Sequence, residues 1–276
     1  MRMEDMNRGS DAEVPRALEN PDCKVAADAE VLDGAGRGTD LVLRARLSAV
    51  ADAVAAAALR AGRNVEDVTL IAVSKTVDVP VMAAAMRQGV TQFGENRVQE
   101  FLRKSASLPD TVVWHFIGRL QTNKVRQLAG RNLLIHSLDR IALLDEMVRV
   151  SDKTGFQWHV LVEVNVSGEA SKTGVSPDQL AFLLQKASNS ACIRVQGLMT
   201  VAPNTGTPEE TRPIFKRLKE LAIDMGSQKL DNVSMNLLSM GMSNDFVIAV
   251  EEGATHIRVG TAIFGSRLTL REEGSY

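Results

Sequence analysis

Cysteines, histidines and long apolar runs are all scarce in this chain. Its 276 residues include two cysteines, Cys23 and Cys192, and four histidines, with no CxxC, HxxxH or HExxH spacing among them. Two distant cysteines argue against a disulfide framework and a cysteine-based metal site, and they are typical of a reducing compartment. No apolar run approaches the roughly 20 residues that cross a bilayer. We therefore expect a cytoplasmic protein that holds no metal and does not contact a membrane.

The charge balance excludes another class of partner. The formal net charge is −2, so no overall basic field is present to attract nucleic acid. Hydrophobic residues make up 45% of the chain, which is enough for a sizeable core. A chain of this length forms one large α/β domain or two small ones.

The first forty residues differ from the rest. They carry ten acidic and five basic residues, and 33–40 has the composition of a linker. The stretch lacks the continuous apolar segment of a secretory signal, and it is too acidic for an organellar transit peptide. We expect a disordered extension over 1–40 and a single folded domain over 41–276.

From Leu41 onward, helical and strand-like patterns alternate. Apolar residues at helical spacing predict a long amphipathic helix over 41–61. Eight β-rich runs separated by helical segments then follow. This number and alternation of elements predict a (β/α)8 TIM barrel, and a doubly wound open sheet is the alternative. The predicted strands are 69–74, 92–94, 112–117, 133–137, 159–166, 193–199, 236–240 and 256–259.

Lys75 follows the first of these strands. A lysine at the tip of a buried strand must reach solvent, pair with an anion or lose its charge. A neutral lysine is a nucleophilic amine, which forms Schiff bases with aldehydes such as pyridoxal 5'-phosphate (PLP). In a TIM barrel the carboxyl ends of all strands face one mouth, where active sites are built. The polar residues expected at this mouth with Lys75 include Asn96, Ser137, Asn165, Thr200, Ser239, Arg258 and Thr261.

The last two loops of the predicted barrel have the composition of a phosphate site. Small residues and hydroxyls occupy 239–243 and Gly260–Thr261, directly before helical segments. Backbone N–H groups at such positions bind phosphate, and the loops after strands seven and eight are the recurrent phosphate site of TIM barrels. Ser239, Ser243 or Thr261 would add a hydroxyl donor. Together with Lys75, these loops indicate a phosphorylated aldehyde as the ligand.

Six segments in order resemble the pyridoxal phosphate homeostasis protein family over about 41–267. They are 72–76 (AVSKT), 93–100 (FGENRVQE), 114–124 (WHFIGRLQTNK), 197–200 (GLMT), 238–243 (LSMGMS) and 259–265 (VGTAIFG). One departure is Arg119, which stands where the family more often has a proline.

The resemblance implies a single-domain TIM barrel similar to the N-terminal domain of bacterial alanine racemase. It implies PLP held as an internal aldimine on Lys75, with Arg258 facing the pyridine nitrogen and Asn96 lining the cofactor. The phosphate would be held by Ser239, Gly260 and Thr261. It further implies a role in holding, buffering or delivering PLP within the cell, with PLP-dependent apo-enzymes as candidate recipients. No interface is identifiable in the sequence, and we expect a monomer or weak dimer.

The sequence favours binding over catalysis. A cation such as Arg258 beside the pyridine nitrogen disfavours protonation of the ring, which weakens PLP as an electron sink. Two-base racemisation as in alanine racemase also needs a tyrosine from a second domain, whereas the one tyrosine here is Tyr276 at the C-terminus. The alternatives are a PLP-dependent amino-acid racemase, with His115 as a substitute base, and a cofactor-free Schiff-base lyase acting on a phosphorylated carbonyl compound.

Overall fold

The computed structural model describes residues 34–265, with side chains from Gly38 onward. The rest of the predicted extension, and Tyr276, lie outside the described residues. The strands are β1 (Thr69–Val73), β2 (Gln92–Glu95), β3 (Val113–Phe116), β4 (Leu133–Leu138), β5 (Trp158–Glu163), β6 (Ile193–Met199), β7 (Val233–Ser239) and β8 (His256–Val259). The helices are α1 (Gly34–Arg60), α2 (Val79–Arg87), α3 (Val98–Ser105), α4 (Val125–Leu128), α5 (Ile141–Thr154), α6 (Pro177–Ser188), α7 (Arg212–Gly226), α8 (Phe246–Glu251) and α9 (Thr261–Phe264).

The eight strands close into a parallel barrel in chain order, from β1 to β8. Closure is made by β1 and β8, which pair from Thr69 opposite His256 to Ala72 opposite Val259. The predicted TIM barrel is therefore confirmed, and the open doubly wound sheet is wrong. Because all strands are parallel, their carboxyl ends meet at one mouth.

Two strand boundaries differ from the prediction by three residues, and all the others agree with it to within one residue. β5 ends at Glu163, three residues early, because the chain then folds back and Val164 bridges to Val175. β7 begins at Val233, three residues before the predicted start, directly after Asn232 with its positive φ of 60°. A left-handed residue ends the preceding turn and lets the chain enter the sheet earlier.

The long first helix begins seven residues before the predicted position. α1 starts at Gly34, so the linker predicted over 33–40 is wrong from Gly34 onward. Asp40 lies in this helix and forms a 2.9 Å ion pair with Arg87 of α2, which ties the start of α1 to the barrel. The predicted apolar stripe is confirmed: Leu43, Val50, Val54 and Ala58 are buried and Leu47 packs against the core, where α1 lies on α8 and α9.

Helix ends in the barrel follow from local sequence. α6 begins with Pro177, whose fixed φ suits the first helical position, after Ser176 in an extended conformation. α5 ends at Thr154, and Gly155 after it adopts the left-handed φ of 69° that glycine tolerates. None of the helices within residues 34–265 combines the length and apolar character needed to cross a bilayer.

Candidate functional site

Lys75 lies at the barrel mouth, on the turn between β1 and α2. Ser74 before it is buried, whereas Lys75 itself is exposed. Its amine forms no hydrogen bond or ion pair with any other residue of the described part of the chain, so it is available to a ligand. Thr76 after it has a φ of 66°, in the left-handed region that non-glycine residues seldom adopt. The left-handed conformation of Thr76 must therefore be held by contacts between this turn and other parts of the chain.

Two backbone N–H groups converge on one point beside the end of β1. The N–H groups of Gly260 and Ala262 both donate to the Ser243 hydroxyl oxygen, at 3.2 and 3.3 Å. A Cβ added at Gly260 would lie 3.3 Å from Val73 Cβ, so this loop packs directly on the strand that leads to Lys75. An oxygen already occupies the focus of these donors. The same geometry suits an oxygen of a phosphate group.

The loop that carries Ser243 is held in shape from two sides. Gly241 has a φ of 90°, and a Cβ there would lie 2.5 Å from Ala249 Cβ, so the position requires glycine. The carboxylate of Asp245 accepts a 2.6 Å hydrogen bond from the N–H of Met242. This bond fixes the turn immediately before Ser243.

Ser239, the last residue of β7, is hydrogen-bonded to side chains of two other strands. It is fully buried, and its hydroxyl oxygen accepts a 2.6 Å hydrogen bond from the Arg258 guanidinium and lies 2.8 Å from Nδ1 of His136. Arg258 also donates to the Thr200 carbonyl at 2.8 Å. Ser239 thus supports Arg258, and Ser243 is the hydroxyl that meets the Gly260 loop.

A chain of hydrogen bonds runs from Arg258 into the barrel interior. Beyond Ser239, His136 Nε2 lies 3.0 Å from His115 Nδ1, and His115 Nε2 lies 2.6 Å from the Gln92 side-chain oxygen. That oxygen accepts, so His115 carries its proton on Nε2 and accepts at Nδ1. His136 then carries its proton on Nε2 and accepts from the Ser239 hydroxyl, which in turn accepts from Arg258. Each donor in this assignment meets one acceptor.

Burial sets the charge states along this chain. Burial lowers the pKa of His115 to about 3 and, helped by nearby positive groups, holds the pKa of His136 well below its usual range. Burial also lowers the pKa of Arg258 to about 10, against the opposing effect of Asp245 and Glu163. At neutral pH both histidines are uncharged and Arg258 is a cation. His115 is therefore an uncharged interior histidine with both ring nitrogens hydrogen-bonded.

His256 completes a group of three imidazoles inside the barrel. Its ring centroid lies 5.9 Å from that of His115 and 6.4 Å from that of His136. The histidines come from β8, β3 and β4, and barrel closure brings them together although no local spacing links them. Within residues 34–265 no group of three or more His, Cys, Asp or Glu side chains forms a metal-ion site.

A buried lysine was missed by the sequence reasoning. The Lys104 side chain on α3 is 0% exposed, and its ammonium donates to the Ser74 carbonyl at 2.6 Å, to Glu95 at 2.8 Å and to Glu100 at 2.7 Å. Burial raises the pKa of Glu95, and the bonds from Lys104 and Ser74 oppose that rise. Burial acts in the same direction on Glu100, but bonds from Lys104 and the Thr76 N–H outweigh it and its pKa is lowered.

Asn96 follows β2 at the same mouth and is half-buried. A Cβ added at Gly118, which follows β3, would lie 2.4 Å from the Asn96 carbonyl oxygen. Glycine at 118 therefore allows the two loops to touch, and this close contact fixes the backbone of Asn96.

Arg119 lies beside this contact, at the rim. Its side chain is 61% exposed and forms a 3.2 Å ion pair with the buried carboxylate of Asp139, which also binds Arg140. Arg119 and Arg140 line a cavity of about 400 Å³ with the 120–123 turn. The Arg119 cation is thus anchored to Asp139 at the end of β4 and partly neutralised.

Three features of the barrel mouth define the class of protein. They are the free Lys75 after β1, the buried Arg258 on β8 and the convergent N–H groups after β7 and β8, all in a closed (β/α)8 barrel. Such a mouth offers an amine that can react with a carbonyl compound and an anion site that suits a phosphate group.

Comparison with known proteins identifies the family within this class. The family model described as the alanine racemase N-terminal domain matches residues 45–268. The pyridoxal phosphate homeostasis protein of Aquifex aeolicus is 47% identical over 223 residues, which cover 80% of this chain and 97% of that protein. On these matches, the chain belongs to the pyridoxal phosphate homeostasis protein family, whose barrel is that of the alanine racemase N-terminal domain.

Solved structures agree with this assignment. The PipY protein of Synechococcus elongatus, solved with PLP bound, has a TM-score of 0.68 and 34% identity, and the match covers 81% of this chain and all of PipY (100%). Alanine racemase from Streptomyces lavendulae has a TM-score of 0.62 at 18% identity, and the match covers 84% of this chain and 60% of the racemase. The second likeness shows the fold alone, and it shows that enzymes also use this barrel.

Proposed function

We propose that this protein binds PLP covalently through Lys75 and serves in PLP homeostasis. The observation that carries the proposal is the cradle of Gly260, Ala262 and Ser243, packed on β1 two residues before the free Lys75 amine. Bound PLP supplies an aldehyde that condenses reversibly with an amine, and a pyridine ring that accepts electrons. The cradle provides the anion site and Lys75 provides the amine. The solved structure of PipY with PLP bound, a relative at 34% identity, supports PLP as the ligand.

The remaining site residues take distinct parts in this proposal. The Ser243 hydroxyl and the backbone of Gly260 and Thr261 hold the phosphate. Asn96 lines the cofactor, and the charged Arg258 faces the ring nitrogen. Ser239, assigned to the phosphate from the sequence, acts instead by holding Arg258 in place.

The role we propose is binding without substantial catalysis. Arg258 stays a cation because its pKa remains about 10, with Asp245 and Glu163 opposing the effect of burial, and a cation opposite the ring nitrogen restrains protonation of the ring. His115, the candidate second base, has both ring nitrogens engaged, by His136 and Gln92. Such a histidine is a poor proton acceptor for a substrate. Both features support a carrier over a racemase.

In this role the protein would hold PLP in the cytoplasm and release it to PLP-dependent apo-enzymes. The domain that does so would be the barrel together with α1, as a monomer or weak dimer. The exposed position of Lys75 at the open mouth favours reversible exchange, since a recipient's lysine can approach the same carbon.

The test is a titration of purified apo-protein with PLP, followed by visible absorbance, with Lys75→Ala as the matched variant. We expect wild type to develop the visible band of a PLP Schiff base, and Lys75→Ala to develop none while retaining the same thermal unfolding. Incubation with individual L- and D-amino acids then tests catalysis. No turnover above that of free PLP is expected.

Two results would contradict the proposal. A wild-type protein that stays colourless with excess PLP, and instead binds a phosphorylated sugar, would favour the cofactor-free lyase. Amino-acid racemisation that disappears in Lys75→Ala would favour the racemase.

A further inference from the structure

Lys104 has no surface role, because its side chain is entirely buried under the Lys75 turn. Its ammonium has three N–H donors, and the three acceptors around it are the Ser74 carbonyl, Glu95 and Glu100. Each donor is therefore satisfied. A buried ion that meets all its partners at 2.6–2.8 Å holds a fixed position.

This cluster fixes the main chain on both sides of Lys75. On the preceding side, Lys104 holds the Ser74 carbonyl, and the Ser74 hydroxyl donates to Glu95 at 2.7 Å. On the following side, the Thr76 N–H donates to Glu100 at 2.6 Å. Lys75 is the residue between these two anchors.

The second anchor restrains a backbone conformation that would otherwise relax. Thr76 has a φ of 66°, which costs a β-branched residue on the order of 1–3 kcal/mol and persists only where the surroundings impose it. The bond from its N–H to a carboxylate is charge-assisted and about twice as strong as a neutral one. Glu100, oriented by Lys104, therefore sets the direction in which the chain leaves Lys75.

Fold stability alone does not explain a buried charged cluster, because well-packed apolar side chains of similar volume usually serve stability as well or better. What the cluster offers beyond packing is a fixed place for the Lys75 backbone. Displacement of a reacting group by about 1 Å costs roughly 100-fold in rate.

We propose that Lys104, with Glu95 and Glu100, is a positioning unit that sets the rate at which the Lys75 amine condenses with an aldehyde. This proposal rests on the proposed function. In the condensation the amine nitrogen attacks the aldehyde carbon, a C=N bond replaces the C=O bond and one water leaves, so no oxidant or reductant is needed. The positioning unit touches neither the aldehyde nor the amine nitrogen and acts through Ser74 and Thr76.

Glu100→Ala is the primary test, because it removes the Thr76 anchor and leaves Lys104 and Glu95 as a pair of opposite charges. Glu100→Gln is the conservative variant, since its amide oxygen still accepts from Thr76. Arg212→Met is the matched control: Arg212 also binds three carboxylates, those of Glu209, Glu251 and Glu252. The rate of Schiff-base formation is measured by stopped-flow absorbance with PLP and with pyridoxal, which lacks the phosphate.

We expect Glu100→Ala to slow the reaction about tenfold or more, by the same factor with both aldehydes, because the amine and not the phosphate cradle is displaced. Glu100→Gln should recover most of the rate, and Arg212→Met should keep the wild-type rate. The double variant Lys104→Met/Glu95→Gln removes the anchor on Ser74 and should slow the reaction with both aldehydes by the same factor.

The outcomes separate this inference from the proposed function. If the wild-type protein forms no Schiff base, the proposed function fails. If wild type reacts and folded Glu100→Ala and the double variant react equally fast, the positioning role is wrong. A slowing seen with PLP but not with pyridoxal also overturns it, because that pattern places the effect at the phosphate.

Discussion

The ammonium of Lys104 donates a 2.6 Å hydrogen bond to the main-chain carbonyl of Ser74, the residue before Lys75. The same carbonyl accepts a 2.9 Å bond from the Val77 N–H, so it closes the Lys75 turn and ties it to α3 at once. Lys75 at the barrel mouth is thus carried by a turn whose shape depends on a second, buried lysine.

Removal of Lys104 alone should be strongly destabilising. Lys104→Met leaves Glu95 as a buried carboxylate without its cation, and breaking a buried pair in this way costs about 3–5 kcal/mol. Lys104→Met/Glu95→Gln removes both charges and should recover more than half of that loss. Urea unfolding of the single variants and the double variant measures the coupling. Additive losses would show that the two side chains do not interact as described.

Loss of the Ser243 hydroxyl should weaken PLP binding selectively. Ser243→Ala removes the group at the focus of the Gly260 and Ala262 N–H donors, and a hydrogen bond to a charged group contributes about 1.5–3 kcal/mol. The dissociation constant for PLP should therefore rise about 10- to 100-fold. Pyridoxal, which has no phosphate, serves as the control ligand and should bind with unchanged affinity. An equal loss of affinity for both ligands would show that the phosphate does not bind at Ser243.

Stability should fall with acidification through the buried histidines. Burial lowers the pKa of His115 to about 3. Because this lies below the unfolded value of about 6.5, the stability that it contributes is present above about pH 6.5 and is lost as the pH falls. Between about pH 7 and about pH 5 the wild-type protein should lose roughly 2 kcal/mol more than His115→Gln, measured by urea unfolding.

The matched control for this pH dependence is His159→Gln, since His159 lies on the exposed side of β5. Burial lowers the pKa of His159 too, with Arg194 as a second cause. Its substitution should change the pH slope less than that of His115. A wild-type slope that His115→Gln leaves unaltered would contradict the buried, neutral state of His115.

Glycine should be essential at 118 and dispensable at 38. A Cβ at Gly118 would lie 2.4 Å from the Asn96 carbonyl oxygen, so Gly118→Ala must displace the loop after β2. We expect a loss of at least about 2 kcal/mol in unfolding free energy, from overpacking. Gly38 lies within α1 with no atom within 4 Å of an added Cβ, and Gly38→Ala should be neutral or stabilise by about 0.5–1 kcal/mol. Similar effects at both positions would refute the close contact.

The fold could be predicted because each β unit has a local signature. The alternation of strand and helix patterns predicted eight strands in the right order, and it placed Lys75 at the carboxyl end of the first strand. The linker assigned to Gly34–Asp40 was wrong because glycine-rich composition disfavours a helix only weakly, and the Asp40–Arg87 ion pair is not visible in a local pattern.

Long-range contacts account for what the sequence did not reveal. Lys104 stands four residues after Glu100, a spacing typical of exposed helical ion pairs. The available signal was its position three residues after Phe101, on the apolar face of α3. The histidine group forms only when the barrel closes β8 beside β1, so no spacing could have indicated it. Ser239 and Ser243 stand four residues apart in the sequence, and only the folded structure shows that Ser239 accepts from Arg258 whereas Ser243 accepts from the N–H groups of Gly260 and Ala262.

The central claim is that Lys75 carries PLP, and borohydride reduction followed by peptide mass mapping tests it most directly. The purified protein is saturated with PLP, reduced and digested, and the peptide that gains the reduced pyridoxyl phosphate group is identified. The account predicts that the group lies on Lys75 and that Lys75→Ala yields no modified peptide. Modification of a different lysine, such as Lys172, with Lys75 unmodified would contradict it.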